Sequence, residues 1–273
     1  GLAGLAGLVL AACSDGGDGD GAASDPDATT TSGPSERGDG GGPTPTEQAD
    51  APLTAADFED LGVCTLLPEQ MAGPFPLDEQ FDRRDVTEGV PGRPMRLGFR
   101  VVDAACAPVP GASVEIWHCD ASGDYGLAVG GIADYDASGD YSAFTDGGGG
   151  KDEGEGTTFL RGTQTAGDDG IVDFATIVPG WYTGRAVHVH LRVRVDDGLV
   201  LTSQVYLDPA LIAEVYEAEP YSGFGPPDTS NEDDAIAGDP PTDGTLLHTT
   251  AETAPGSTVV ALLNLGVDPQ RAA

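Results

Sequence analysis

Two histidines separated by one residue, His188 and His190, lie in the run Arg185-Ala-Val-His188-Val-His190, and Tyr182 precedes them at the end of Val178-Pro-Gly-Trp-Tyr182. In a β-strand, side chains two residues apart leave the same face, so the two imidazoles point together. Imidazoles paired in this way can hold a first-row transition metal. They are two of only four histidines in the chain, and apolar Val187, Val189 and Leu191 alternate with them, which predicts a strand in or near the core. A phenolate is a hard, anionic ligand, and free tyrosine loses its proton only near a pKa of about 10. Binding near neutral pH therefore needs a strongly Lewis-acidic ion. No acidic or cysteine ligand set stands nearby, and imidazole with phenolate favours Fe(III) over Zn(II), which takes mostly Cys, His and carboxylate.

The elements that must position these residues read as strands. Met95, Leu97, Phe99 and Val101 alternate with Arg96, Gly98 and Arg100, a period-two pattern that predicts one buried face. Further β-rich runs cover residues 112–119, Ile171–Ile177, 186–195, 200–207 and 257–267. Residues 209–218 alone have a clear helical pattern, and Thr54-Ala-Ala-Asp57 predicts a capped short helix before Gly62. Many short strands punctuated by Gly and Pro imply an all-β fold, a β-sandwich of mixed sheets with long loops and little helix. The Gly-rich run at residues 147–156 reads as a mobile loop between strands, beside the mouth of the site.

Composition divides the 273 residues into three parts. Residues 1–13, GLAGLAGLVLAAC, form an apolar stretch too short to span a bilayer and match a signal peptide whose start lies upstream. Leu10-Ala11-Ala12-Cys13 resembles a bacterial lipobox, which predicts lipidation at Cys13 and a cell-surface lipoprotein outside the cytoplasmic membrane. Residues 14–52 are mostly Gly, Asp, Ser, Thr and Pro, too poor in large apolar side chains to bury a core, and read as a disordered tether. Residues 53–273 read as one globular domain. Twelve Lys and Arg against 46 Asp and Glu give a net charge of −34, which argues against nucleic-acid binding because phosphates would be repelled. Contact with a membrane is expected only through the lipid anchor. In an oxidising compartment Cys64, Cys106 and Cys119 can form one bridge. Cys106 and Cys119 flank a short turn, and Cys64 can pair with either.

Further motifs accompany the histidine run: Glu69-Gln-Met-Ala-Gly-Pro-Phe75, Arg84-Asp-Val86, Pro110-Gly-Ala112, Val114-Glu-Ile-Trp-His-Cys-Asp120, Phe159-Leu-Arg-Gly-Thr-Gln164, Pro179-Gly-Trp-Tyr182 and Thr202-Ser-Gln-Val-Tyr206. In this order and at these distances the chain resembles the intradiol ring-cleavage dioxygenases, similar to the catechol 1,2- and protocatechuate 3,4-dioxygenases, and in particular their secreted bacterial branch. Pro76 departs from the pattern, since many relatives carry an aromatic residue there.

The resemblance implies a ferric ion, Fe(III), held by Tyr125, Tyr182, His188 and His190. Tyr125 is preferred as the first tyrosine for its distance from Trp117, and Tyr141, in a repeated Asp-Ala-Ser-Gly-Asp-Tyr context, is its rival. By the same resemblance Tyr182 gives way to substrate and takes up a proton. Arg185 stabilises carbanion character in the bound ring, and Gln204 is the polar residue near the position of O2 attack. Trp117 and Trp181 read as core or pocket wall, His118 as pointing away from the site, and His248 as a surface residue. The implied reaction is cleavage of a catechol-type diol between its two hydroxylated carbons, with O2, to a muconate-type diacid. Two other classes stay open: a lipid-anchored extracellular binding module that keeps the fold without turnover, and a zinc hydrolase. Four intact ligands speak against the first, and phenolate ligands with no general-base carboxylate speak against the second.

Overall fold

The computed structural model describes residues 51–62, 64–73, 76–77, 80–126, 157–237, 245–251 and 257–271. Cys13, most of the tether, Tyr141 and residues 147–156 lie outside them. Among the described residues eight strands form two four-stranded sheets. They are β1 (Pro94–Val102), β2 (Ser113–Trp117), β3 (Arg161–Thr165), β4 (Ile171–Ile177), β5 (His188–Val195), β6 (Gly198–Tyr206), β7 (His248–Ala251) and β8 (Val259–Gly266). The first sheet runs β4-β1-β8-β7 and is mixed, because β1 and β8 are parallel. The second runs β3-β2-β5-β6 and is antiparallel throughout. The all-β sandwich is therefore observed, with one mixed sheet rather than two. The helix of residues 209–218 is α1 (Pro209–Val215), started by the Asp208 side chain accepting from the Ala210 N–H at 2.6 Å and by Pro209 in the first turn.

Leu97, Phe99 and Val101 of β1 meet Val114 and Ile116 of β2 and Val189, Leu191 and Val193 of β5 in one buried cluster. That packing uses one face of each strand, as alternation requires. The expectation of a single buried face on β1 is only half right. Arg96, on the other face, is buried against Asp173, with Nε to Oδ2 at 2.8 Å. At Gly98 a Cβ would fall 2.4 Å from Leu53 and 2.7 Å from Leu262, so the missing side chain lets the segment entering the domain lie across the sheet. That segment contains the expected capped turn, a 3-10 helix at Ala55–Phe58 in which the Thr54 N–H donates to Asp57 at 2.7 Å.

Residues 64–73 form a strap from the first sheet to the second. Leu67 N donates to Gly266 O at 2.9 Å, Ser203 Oγ to Pro68 O at 2.8 Å, and Gln70 N to Thr202 O at 2.9 Å. A disulfide between Cys64 and Cys106 pins the start of the strap, and Cys119 is a buried free thiol. The two-residue loop Asp196-Asp197 closes the β5–β6 hairpin with φ of 50° and 66°, the left-handed geometry that matches strand twist. The hairpin sets His188 opposite Tyr206 and His190 opposite Gln204.

Candidate metal centre

With Val189, Leu191 and Val193 committed to the sandwich core, His188 and His190 project from the other face of the second sheet. Sequence reasoning placed them in or near the core. They are buried, at 2% and 0% exposure, but beneath loops and the strap rather than between the sheets.

Two turns bring the tyrosines to them. Asp120, just after β2, organises the first: its carboxylate accepts from Ser122 N at 2.8 Å and Asp124 N at 3.1 Å. The second is Pro179-Gly-Trp-Tyr182. Gly180 N donates to Asp120 O at 2.9 Å, and a Cβ on Gly180 would fall 2.3 Å from that oxygen. Gly123, at φ +91°, sits equally close to Trp181 O, at 2.4 Å from where its Cβ would be. A glycine in each turn lets the two backbones touch, and Tyr125 and Tyr182 end with ring centres 5.9 Å apart.

Four donor atoms then converge. Tyr182 Oη lies 3.1 Å from His188 Nε2, His188 Nε2 lies 3.0 Å from His190 Nε2, and His190 Nε2 lies 2.9 Å from Tyr125 Oη. Such spacings suit donors sharing one ion at bonds of about 2 Å. His188 Nδ1 is 2.6 Å from Ala186 O, a hydrogen bond that puts the proton on Nδ1 and leaves the Nε2 lone pair facing the centre. Burial, with the charge of Arg185 added, holds both imidazoles far below the usual histidine range, so they stay neutral. Burial also drives both phenols up, Tyr182 to about 12, with Arg185 opposing the rise. Such phenols become anionic only if a cation arrives. Among the described residues no three His, Cys, Asp or Glu side chains cluster as a metal site. Two phenols with two imidazoles are the donor set present, and they fit a hard, highly charged ion better than Zn(II).

Arg185 borders the cluster as a buried cation. Its Nη1 donates to Tyr182 Oη at 3.3 Å, its Nε to Asp234 Oδ2 at 2.9 Å, and its Nη2 to Gln204 Oε1. Gln204 is fixed in turn by the strap, with Nε2 to Met71 O at 2.9 Å and its own N–H to Gln70 Oε1 at 3.1 Å. All six residues singled out from the sequence therefore meet in one place. His118 faces away, 2.7 Å from Thr176 Oγ1, kept neutral by a pKa lowered by burial to about 4. Trp181 donates to Gly225 O at 3.1 Å, and His248 is exposed on β7, so neither enters the cluster.

Sequence reasoning missed Asp234 and Gln70; Trp117 is buried as expected, but its contact with His190 was not foreseen. Asp234 ends the acidic run Glu232-Asp233-Asp234, and nothing within that run singles it out. In the fold its carboxylate is buried and accepts from Arg185, Ala186 N, Ile236 N and Ala237 N. Gln70 carried a signal, since it sits inside the Glu69-Gln-Met-Ala-Gly motif.

Comparison with known proteins bears on the same region. A family model described as dioxygenase matches residues 71–220, more than half of the chain. A catechol 1,2-dioxygenase of Pseudomonas sp. (strain EST1001) is 41% identical over 63 residues, which are 21% of this chain and only 21% of that relative's length. Among solved structures, an intradiol ring-cleavage dioxygenase from Tetranychus urticae aligns over 77% of this chain and 98% of its own, at 27% identity and a TM-score of 0.61. The dioxygenase domain of a carbohydrate-binding fusion from Streptomyces sp. SirexAA-E aligns over 75% of this chain and 99% of its own, at 25% identity and a TM-score of 0.50.

Proposed function

Starting from a chain that belongs to the dioxygenase family, and within it to the intradiol ring-cleavage enzymes, we propose that it is a non-haem Fe(III) dioxygenase acting on catechol-type diols. The substrate ring is cut between its two hydroxylated carbons, with both atoms of O2 entering a muconate-type diacid. The convergence of Tyr125 Oη, Tyr182 Oη, His188 Nε2 and His190 Nε2 carries this reading. A ferric ion bound there supplies Lewis acidity toward the diol and the electron exchange that spin-forbidden reaction with O2 requires.

The protein's own groups do the rest. His188 and His190 present neutral lone pairs. Tyr182, beside a guanidinium, is the group placed to leave the centre and accept a substrate hydroxyl proton at Oη. Arg185, held by Asp234 and Gln204, keeps a positive charge beside the substrate ring, where negative charge develops. Gln70, Met71 and Gly73 of the strap cover one side of the site, through bonds to Gln204 and contact with His190. The net charge of −34 favours neutral catechols over carboxylated ones at long range.

Export and lipidation at Cys13 belong to the same proposal. Leu10-Ala-Ala-Cys13 followed by the Gly/Asp-rich segment supports it, and so does the disulfide, a bond that persists in oxidising compartments. Cys13→Ser is expected to move the protein from the membrane fraction to the soluble one, and unchanged fractionation contradicts it. For the reaction, iron-loaded protein is mixed with catechol in an oxygen electrode and the product is identified. Consumption of one O2 per muconate formed supports the proposal. Iron-loaded protein that consumes no O2 with any of a panel of catechols overturns it, in favour of a binding module on the same fold.

A further inference from the structure

The two imidazoles of the cluster are held by different means. His188 has the hydrogen bond on Nδ1 that metal-binding histidines ordinarily use to fix their ring and tautomer. The Nδ1 of His190, in a side chain with no exposure, has no hydrogen-bond partner among the described residues. Packing does what that bond would do. Trp117 stands directly opposite His190 in the β2–β5 ladder, and the two rings stack with centres 5.1 Å apart and planes 9° from parallel. Gly73 of the strap also lies against the imidazole. A Cβ there would fall 2.1 Å from Cε1, 2.9 Å from Nδ1 and 3.0 Å from Nε2. The φ of +69° at Gly73 is one that residues with side chains rarely adopt.

Trp117 is itself enclosed. It is fully buried, with the guanidinium carbons of Arg161 and Arg192 5.6 and 5.5 Å from its ring centre. Both arginines reach the buried carboxylate of Glu115, at 3.7 and 4.0 Å. We propose that Trp117 and Gly73 are positioning residues, a clamp that aims His190 Nε2 at the centre by ring stacking and close backbone approach instead of a hydrogen bond. The clamp rests on the reading of the four donors as an iron site. Without it the His190 ring can turn about its side-chain bonds, and Nε2 no longer points steadily at Tyr125 Oη and His188 Nε2.

The test uses the full chain and three substitutions. Trp117→Leu keeps apolar bulk but removes the ring, Trp117→Phe keeps a ring, and Gly73→Ala drives a methyl group into the imidazole. Iron affinity is read by competition with a chelator, the tyrosinate absorption by visible spectroscopy, and folding by thermal unfolding of the metal-free protein. Trp117→Leu and Gly73→Ala are expected to lose about tenfold or more in iron affinity, the scale for loss of an orienting partner. Trp117→Phe is expected to keep most of the affinity and the wild-type band. If Trp117→Leu does not fold, Gly73→Ala decides. Folded Trp117→Leu or Gly73→Ala protein with wild-type affinity and band overturns the clamp, as does a folded Trp117→Phe that loses as much as Trp117→Leu. Wild-type protein that takes up no iron marks the separate failure of the iron reading, and the clamp falls with it.

Discussion

Around Tyr182 and His188 the protein places charges and hydrogen bonds: Arg185 on the phenol, Asp234 and Gln204 on Arg185, and the Ala186 carbonyl on the imidazole. Around Tyr125 and His190 it places rings and backbone: Trp117 stacked on the imidazole, Tyr182 edge-on to Tyr125, and Gly73 against His190. The first half can respond to charge, because a guanidinium next to a phenol stabilises whichever form carries the negative charge. The second half is held by contact, and close packing resists its movement. On the proposed function the division has a purpose. Tyr182 must release and take up a proton, whereas Tyr125 and His190 must stay where they are.

The largest effect expected from breaking this division is on iron itself. His188→Ala removes a donor that no neighbour can replace, and the variant is expected to emerge from desalting without iron by metal analysis. Retention of a full equivalent would place the ion elsewhere. Next comes Arg185→Ala, which leaves the buried Asp234 carboxylate without its cation. Breaking a buried pair in this way costs about 3–5 kcal/mol, to be read by denaturant unfolding. The four donors remain, so iron is expected to stay and turnover to vanish. Loss of iron as well would show that the polar half also supports the ligands.

A smaller effect is expected from Cys64→Ser combined with Cys106→Ser. The bridge closes a separation of 42 residues, and its removal costs about 2–4 kcal/mol of stability. Because the strap it pins touches both halves, through Gly73 to His190 and through Gln70 and Met71 to Gln204, a lower iron affinity should accompany the lower melting temperature. A melting temperature unchanged from wild type would count against a structural role for the bridge. The smallest effect is expected from Tyr141→Phe, which should leave the visible spectrum unaltered. A bleached or shifted band would make Tyr141, and not Tyr125, the ligand.

The sequence made the polar alternation of β5 plain, since a strand that buries Val189 and Leu191 must present His188 and His190 together. The helix α1 was equally legible, from Asp208 and Pro209 at its start and from Leu211, Ile212 and Val215 on one face. Other features depended on distant parts of the chain. Cys64 pairs with Cys106 only because the strap crosses the β1–β2 turn, and no spacing rule expresses that. Strand β7 is too short to show a period, and the burial of Arg96 depends in part on Ala51, 45 residues earlier. Asp234 carried no local signal because its partner Arg185 lies 49 positions away. The packing of Trp117 on His190 follows from the β2–β5 register, which is a tertiary fact.

The central claim, that two phenolates and two imidazoles of this chain hold one ferric ion that meets catechol, is tested most directly by visible absorption under anaerobic conditions. Protein loaded with one equivalent of Fe(III) is expected to be red-brown from tyrosinate-to-iron charge transfer. Added catechol should shift the band as the diol takes the place of Tyr182, and admitted O2 should then bleach the new band as product forms. A colourless protein after iron loading, or a band that ignores catechol, contradicts the claim.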